Sequence, residues 1–343
     1  MSKFPTFSLL ESQNWIDYAL LDSGDGLKLE RFGPYTFVRP EVQALWSRSL
    51  PERDWAQAHA VFQPTGEESG GHWKFHKKVA ERWEMKYPLD LISRLPFDRL
   101  RAAPLPFRAH VLEGDGEPLR FWAMTTPGRH LGVFPECAAH WDWAAGLIRN
   151  REARKVRKED KKVSVNSVGS VVKVLNLFGY TGLATLSAAA AGAQVTHVDA
   201  SKKAVTWARD NQALSGLTEK SVRWIVDDAL KFVQREARRG NKYDGILLDP
   251  PKFGRGPKGE VWEVYKSLPD LFETCRQVLS ENPLFVVATV YAVKASAIHI
   301  GQALQEMLSK FEGIIESGEL VTREQSAERL LSQAVYARWS SAE

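Results

Sequence analysis

From Val171 onward, short apolar runs alternate with amphipathic stretches of helical period, and a chain patterned this way is restricted to parallel strands joined by covering helices. VVKVLNLF, AQVTHVDA, VRWIVDDA, YDGILLDPP and PLFVVATVY read as five strands. TGLATLSAAAAG, Lys202 to Leu214, LKFVQREARR and Ala295 to Phe311 read as the helices between and after them. The fourth strand is apolar through Ile246 to Leu248, as a central strand covered on both faces must be. WEVYKSLPDLFETCRQVLS is helical with Pro269 inside it, which predicts a kink or a division into two helices. GIIESGELVT and QAVYARWS are extended and suited to antiparallel pairing, completing a seven-stranded α/β doubly wound sheet.

Residues before this alternation follow another pattern. Turn signals at Ser23 to Gly26, Gly33 to Pro34, Thr65 to Gly71 and Glu113 to Pro118 separate the aromatic and β-branched runs YTFV, FRAHVL and RFWAM. Residues 1–130 are expected to form a smaller, strand-rich α+β domain for substrate recognition, with helices at Pro40 to Leu50 and Leu89 to Leu100. Residues 131–343 are expected to form the catalytic domain, with 131–170 a helical lead-in. Gly66 to Lys78 reads as a basic, aromatic loop suited to stacking and phosphate contact, or to a hairpin. Arg149, Arg151, Arg154, Lys155, Arg157, Lys158, Lys161 and Lys162 crowd the lead-in, either as a solvated helix face or as a phosphate-contacting surface.

At 343 residues, 44% hydrophobic and 26% charged, the chain can bury two cores. It has no apolar run near the ~18 residues that a membrane helix needs, and MSKFPTFSLLESQNW lacks the regions of a signal peptide, so a cytoplasmic protein with no membrane partner is expected. Cys137 and Cys275 are too few for a disulfide framework or a paired-cysteine zinc site, and both are expected to be buried packing residues. The net charge of +4 permits an anionic partner without requiring one.

Four strand ends converge on one crevice. The first strand breaks at NLFGYTG, Asn176 to Gly182, where Gly179 and Gly182 are expected to supply backbone freedom for a turn into a helix. Phe178 and Tyr180 stand where the dinucleotide fingerprint G-x-G-x-x-G would need glycine, so a diphosphate is disfavoured and a phosphate-free cofactor bearing an amino-acid group fits better. Asp199 ends the second strand, where a carboxylate accepts both hydroxyls of a ribose or caps the next helix. Of Asp227 and Asp228 at the third, Asp228, followed by Ala229, is assigned to an adenine amino edge and the other to the helix cap. In DPPKF, Pro250 and Pro251 fix the backbone so that the Asp249 carboxylate and the Pro250 carbonyl face an entering planar group; Phe253 can stack on it and Lys252 adds a cation. An ordinary turn is the alternative.

The order N-x-F-x-Y-T-G, D-x-S, D-A and D-P-P-K-F resembles the class I S-adenosylmethionine-dependent methyltransferases, in particular the large-subunit (23S) ribosomal RNA methyltransferase group that carries DPPKF, from about Leu131 onward. The resemblance implies a Rossmann-like fold with S-adenosyl-L-methionine as cofactor. It implies that Asn176, Phe178, Gly179, Tyr180, Thr181 and Gly182 line the methionine side, and that Asp199 with Ala200 and Ser201 meets the ribose. Asp227, Asp228 and Ala229 lie near the adenine, and Asp249 bridges cofactor and substrate. HLGVFPECAAHW resembles the segment that folds over the cofactor, which nominates Phe134 and Glu136 for the outer wall. RNA is the implied substrate, although residues 1–130 do not match the small RNA-binding module of relatives.

Methylation of cytosine carbon 5 needs a cysteine nucleophile after the fifth strand, and ATVYAVKAS has none. Cys137 and Cys275 are both read as poorly placed for that role. What remains is direct in-line transfer to a nitrogen of a base, with Asp249, Pro250, Pro251, Lys252 and Phe253 as the catalytic loop and no metal. A protein or small-molecule acceptor stays open, as does a non-catalytic RNA-binding protein that retains the fold.

Overall fold

The computed structural model describes residues 5–65, 70–88, 117–159, 171–291 and 296–342. In chain order the elements are β1 (Thr6–Glu11), β2 (Tyr18–Gly24), β3 (Leu27–Phe32), β4 (Tyr35–Pro40), α1 (Glu52–Trp55), β5 (Ala60–Pro64), β6 (Gly71–Phe75), β7 (Trp83–Tyr87) and β8 (Leu119–Ala123). A 3₁₀ turn (Pro135–Cys137) leads into α2 (Ala138–Glu159), followed by β9 (Lys173–Leu177), α3 (Leu183–Ala190), β10 (Gln194–Asp199), α4 (Lys202–Leu214), β11 (Val222–Val226), α5 (Ala229–Arg238) and β12 (Gly245–Leu248). Then come β13 (Phe253–Arg255), β14 (Val261–Glu263), α6 (Val264–Gln277), β15 (Phe285–Val290), α7 (Ala297–Met307), β16 (Gly313–Arg323) and β17 (Leu330–Ser341).

The main sheet runs β1-β16-β17-β15-β12-β9-β10-β11. Strands β9 to β12 and β15 are mutually parallel, and β17 pairs antiparallel with β15 and β16. The order reverses between β9 and β12, the switch point beside which open α/β sheets bind ligands. Alternation along the strands divides the core: Leu175, Ile246 and Val286 pack with Phe232, Leu271 and Leu304 of α5, α6 and α7, while Val174, Leu247 and Val287 pack with Ala145 and Ile148 of α2 and Ala188 of α3. The alanines of α3 bring it close to the sheet.

The sheet has one strand more than the alternation from Val171 predicts. Its outer edge is β1, in parallel register with β16 from Thr6 opposite Glu316 to Glu11 opposite Val321. Pro269 neither divides nor ends α6: the carbonyl that loses its donor belongs to Tyr265, on the exposed side, where water can take it. No helix forms over Pro40 to Leu50, because the carbonyls of Ala44 and Trp46 accept from Gly26 and Asp25 of the β2–β3 turn. The basic aromatic stretch is partly a strand, β6, paired antiparallel with β5. Leu89 to Leu100 and FRAHVL lie outside the described residues. Of the basic segment, Arg151 reaches the Asn282 carbonyl and Asp244 at the amino edge of the sheet, opposite the DPPKF edge. No helix among the described residues is long and apolar enough to cross a membrane.

Strands β2 to β6 form a second sheet, whose buried Arg39 (5% exposed) makes a bidentate pair with Glu30 (1% exposed) at 2.7 and 2.8 Å. The same guanidinium donates to the Arg129 carbonyl at 3.0 Å and so holds the segment leading to Phe134. Burial alone would raise the Glu30 carboxyl, but Arg39 and Lys28 hold it below its ordinary value. Arg39→Ala would strand that buried charge and is expected to cost about 3–5 kcal/mol in urea denaturation. Arg48→Ala, which removes partly exposed pairs, is expected to cost less than about 1 kcal/mol.

Candidate functional site

The loop after β9 is shaped by two non-glycine residues in the left-handed region, Phe178 (φ 58°) and Tyr180 (φ 49°). Gly182, at φ 84°, begins α3 as the sequence predicts, but Gly179 is needed for a different reason. A Cβ at residue 179 would stand 2.4 Å from Cε1 of His197, so the position requires space and not a positive φ. Asp199 secures the turn: its Oδ2 accepts from Tyr180 N at 2.9 Å and its Oδ1 from Ser201 N at 2.8 Å. The cap of α4 is therefore Ser201, whose Oγ accepts from Ala204 N, and not Asp199. Burial raises the Asp199 carboxyl, and the two amides partly offset that.

A buried relay lies beneath the loop. Asn176 Nδ2 donates to Thr185 Oγ1 at 2.9 Å, and that oxygen is 2.9 Å from Nδ1 of His197. Burial pushes His197 down to about 3, so it is neutral and serves as packing under Gly179.

At the third strand end, Asp227 N donates to the Asp199 carbonyl at 3.1 Å, joining the two loops edge to edge. The helix cap belongs to Asp228, which accepts from Lys231 N at 2.9 Å, whereas Asp227 is ion-paired with Arg235. The helix cap assigned from sequence to Asp227 thus belongs to Asp228. Each was ambiguous because both neighbours can cap.

Asp249 leaves β12 with its amide 3.4 Å from the Leu177 carbonyl. The Pro251 carbonyl accepts from Trp262 Nε1 at 2.7 Å, and the Phe178 ring packs on Trp262 at 4.9 Å, so DPPKF and the NLFGYTG turn are braced through one indole. Phe253 opens the β13–β14 hairpin and is 53% exposed, with Lys252 and Arg255 beside it on the surface. These strands of three residues are too short to show alternation in sequence.

The crevice is lined by Phe134, Cys137, His140, Asn176, Phe178, Gly179, Tyr180, Thr181, Asp249 and Thr289, among others. Phe134 packs between Tyr180 (5.7 Å) and Tyr291 (5.2 Å) and forms one wall. Glu136 is buried behind it, bonded to Tyr291, with its carboxyl raised chiefly by burial. Cys137 is better placed than the sequence suggests: its Sγ is 3.9 Å from Asp249 Oδ2 and 2.9 Å from the Tyr291 hydroxyl. Burial and then Asp249 and Glu136 push the thiol well up, so it stays protonated and is no nucleophile. Asp249 Oδ1 is buried and has no partner among the described residues. Burial, with Glu136 adding to it, raises this carboxyl to about 8. Cys137, His140, Thr289 and Tyr291 were missed from sequence because no local pattern ties them to the strand ends.

A crystal structure of the SAM-dependent methyltransferase from Agrobacterium tumefaciens is 39% identical, over 100% of this chain and 97% of its own, with a TM-score of 0.79. The chain belongs to the SAM-dependent methyltransferases. The family model described as conserved hypothetical protein 95 matches residues 158–287. SMU.776, solved complexed with SAH, shares the fold at 15% identity and a TM-score of 0.64, over 95% of this chain and 76% of its own. Ribosomal RNA large subunit methyltransferase I of Klebsiella pneumoniae (strain 342) is 42% identical over 60 residues, 18% of this chain and 15% of the relative. Its counterpart in Escherichia coli O139:H28 is 31% identical over 93 residues, 27% of this chain and 23% of the relative. The chain thus matches under a quarter of these curated relatives' length. The family, doubly wound fold and S-adenosylmethionine cofactor implied by the motifs are borne out.

In this methyltransferase, free of ligand, Asp249 keeps its proton to about pH 8, whereas an unfolded aspartate loses it near pH ~4. Between those values the folded state binds more protons, so this group makes stability fall as pH rises. Asp249→Asn is expected to remove that component, flattening the fall of the urea midpoint from pH 5 to 8. An unchanged pH dependence would show that Asp249 ionises normally.

Proposed function

We propose that the crevice holds S-adenosylmethionine and delivers its methyl group to a nitrogen of an RNA base. The ribose lies at Asp199, Ala200 and Ser201, and the adenine at Asp227, Asp228 and Ala229. The amino-acid end lies among Asn176, Phe178, Gly179, Tyr180, Thr181 and Gly182, with Phe134 over it and Glu136 supporting that wall from behind. The observation that carries this assignment is Asp249 Oδ1, a buried acceptor with no partner at the carboxyl edge of the switch-point strand. A cationic cofactor beside it supplies the missing partner and an already activated methyl group.

Asp249 and the Pro250 carbonyl hold the hydrogens of the acceptor nitrogen so that its lone pair points at the methyl carbon. With the cationic cofactor bound beside it Asp249 would ionise, and its carboxylate would stabilise the positive charge developing on the acceptor nitrogen as it takes the methyl group from the sulfonium, then take the proton that nitrogen loses. Pro251, fixed by Trp262, keeps the loop rigid. Phe253 stacks on the base while Lys252 neutralises its phosphate. A covalent cytosine mechanism is disfavoured by the raised Cys137 thiol and the absence of cysteine in ATVYAVKAS. The names of the curated relatives and the exposed Phe253, Lys252 and Arg255 support RNA as substrate.

Asp199→Ala is expected to weaken S-adenosylmethionine binding in calorimetry by about tenfold or more, with Asp199→Asn intermediate. Unchanged affinity in both would overturn the ribose assignment. Radiolabelled methyl transfer to total RNA from a strain lacking the gene should yield a labelled base nucleoside that wild-type RNA does not accept. RNA that stays unlabelled would remove the RNA reading and leave the cofactor assignment standing.

A further inference from the structure

His140 projects from the first turn of α2 into the same crevice and is 3% exposed. Both of its ring nitrogens are buried without a hydrogen-bond partner among the described residues, while the ring packs edge-on against Tyr336 at 5.1 Å. Buried polar atoms are seldom left unpaired, and two on one side chain facing a cavity mark a place where a ligand completes the bonding. Burial and Arg338 hold the imidazole well below its ordinary value, so it is neutral and presents one donor and one acceptor.

Two independent features give the ligand's polarity. Asp249 Oδ1, the other unpartnered polar atom that opens on this crevice, is an acceptor suited to a cation. Helix α3 starts at Gly182 without a side-chain cap, and Leu183 and Ala184 of its first turn line the crevice, so the positive end of its dipole favours an anionic group nearby. A donor, a helix N-terminus and a carboxylate lining one crevice match the two ends of an α-amino acid zwitterion.

We propose that His140 donates an imidazole N–H to the α-carboxylate of the cofactor's amino-acid end, while Asp249 Oδ1 receives the α-ammonium. His140 is thereby the residue that distinguishes an intact cofactor from a nucleoside lacking the amino-acid group. This rests on the crevice being the cofactor site.

The test compares S-adenosylhomocysteine with 5′-methylthioadenosine, which keeps the nucleoside and thioether but lacks the amino-acid end. Calorimetry is run on the wild type, on His140→Phe, which preserves ring packing on Tyr336, and on His140→Gln, which restores a donor. His140→Phe is expected to weaken S-adenosylhomocysteine about tenfold and to leave 5′-methylthioadenosine unchanged, with His140→Gln recovering part of the loss. Equal weakening of both ligands would assign His140 to packing and overturn the proposal, as would unchanged binding of S-adenosylhomocysteine. If the wild type binds neither ligand, the cofactor reading of the crevice itself fails. Should His140→Phe not fold, His140→Leu, which likewise lacks a donor, carries the same comparison.

Discussion

The Asp199 carboxylate meets the backbone amides of Tyr180 and Ser201 at once, tying the end of β10 to the loop after β9. Left-handed conformations at Phe178 and Tyr180 cost on the order of 1–3 kcal/mol each and persist only where the surroundings over-determine them. The Asp199 bond, the Gly179 amide on the Val198 carbonyl and the Phe178 ring on Trp262 supply that determination. Because Asp227 N bonds the Asp199 carbonyl and Trp262 bonds the Pro251 carbonyl, the strand-end loops form one braced rim. A rim of this kind can present polar groups to a ligand without reorganising, which is what positional catalysis requires.

The N-terminal sheet is joined to this rim by a buried polar cluster and a part-buried hydrogen bond. Tyr18 and Arg39 converge on Glu30, Arg39 reaches Arg129, and the chain continues through His130 and Phe134 to the crevice wall. At the tip of the β16–β17 hairpin, Glu324 receives Ser23 and Arg329 while Gln325 N donates to the Leu20 carbonyl. The second sheet is thus fastened both to the lead-in segment and to the last two strands.

Legibility in the sequence followed the range of the physical signal. Strands β9 to β12 and β15 and helices α3 to α5 and α7 declare themselves through periodicity within a few residues, and α6 runs on through Pro269, whose missing amide falls opposite the exposed Tyr265. NLFGYTG, Asp199 and DPPKF were visible because strand ends concentrate them. What stayed hidden arises between distant segments: β1 pairs with β16 across some 310 positions, and Cys137, Asp249 and Tyr291 meet from three elements. The need for glycine at 179 was visible, but its cause, the ring of His197, was not. The turn over Pro40 to Leu50 carries helix-compatible residues whose carbonyls are taken by another hairpin, a tertiary override of local preference.

The pairing of Thr6–Glu11 with Glu316–Val321 has a temporal consequence. During synthesis the strand that completes the sheet's outer edge is made some 310 residues before its partner. Phe7 and Leu9, exposed even in the finished fold, therefore have no partner strand to join until β16 has been made. Contacts of such sequence separation are slow to close, so β1 can zip onto the sheet edge only after β16 has been made.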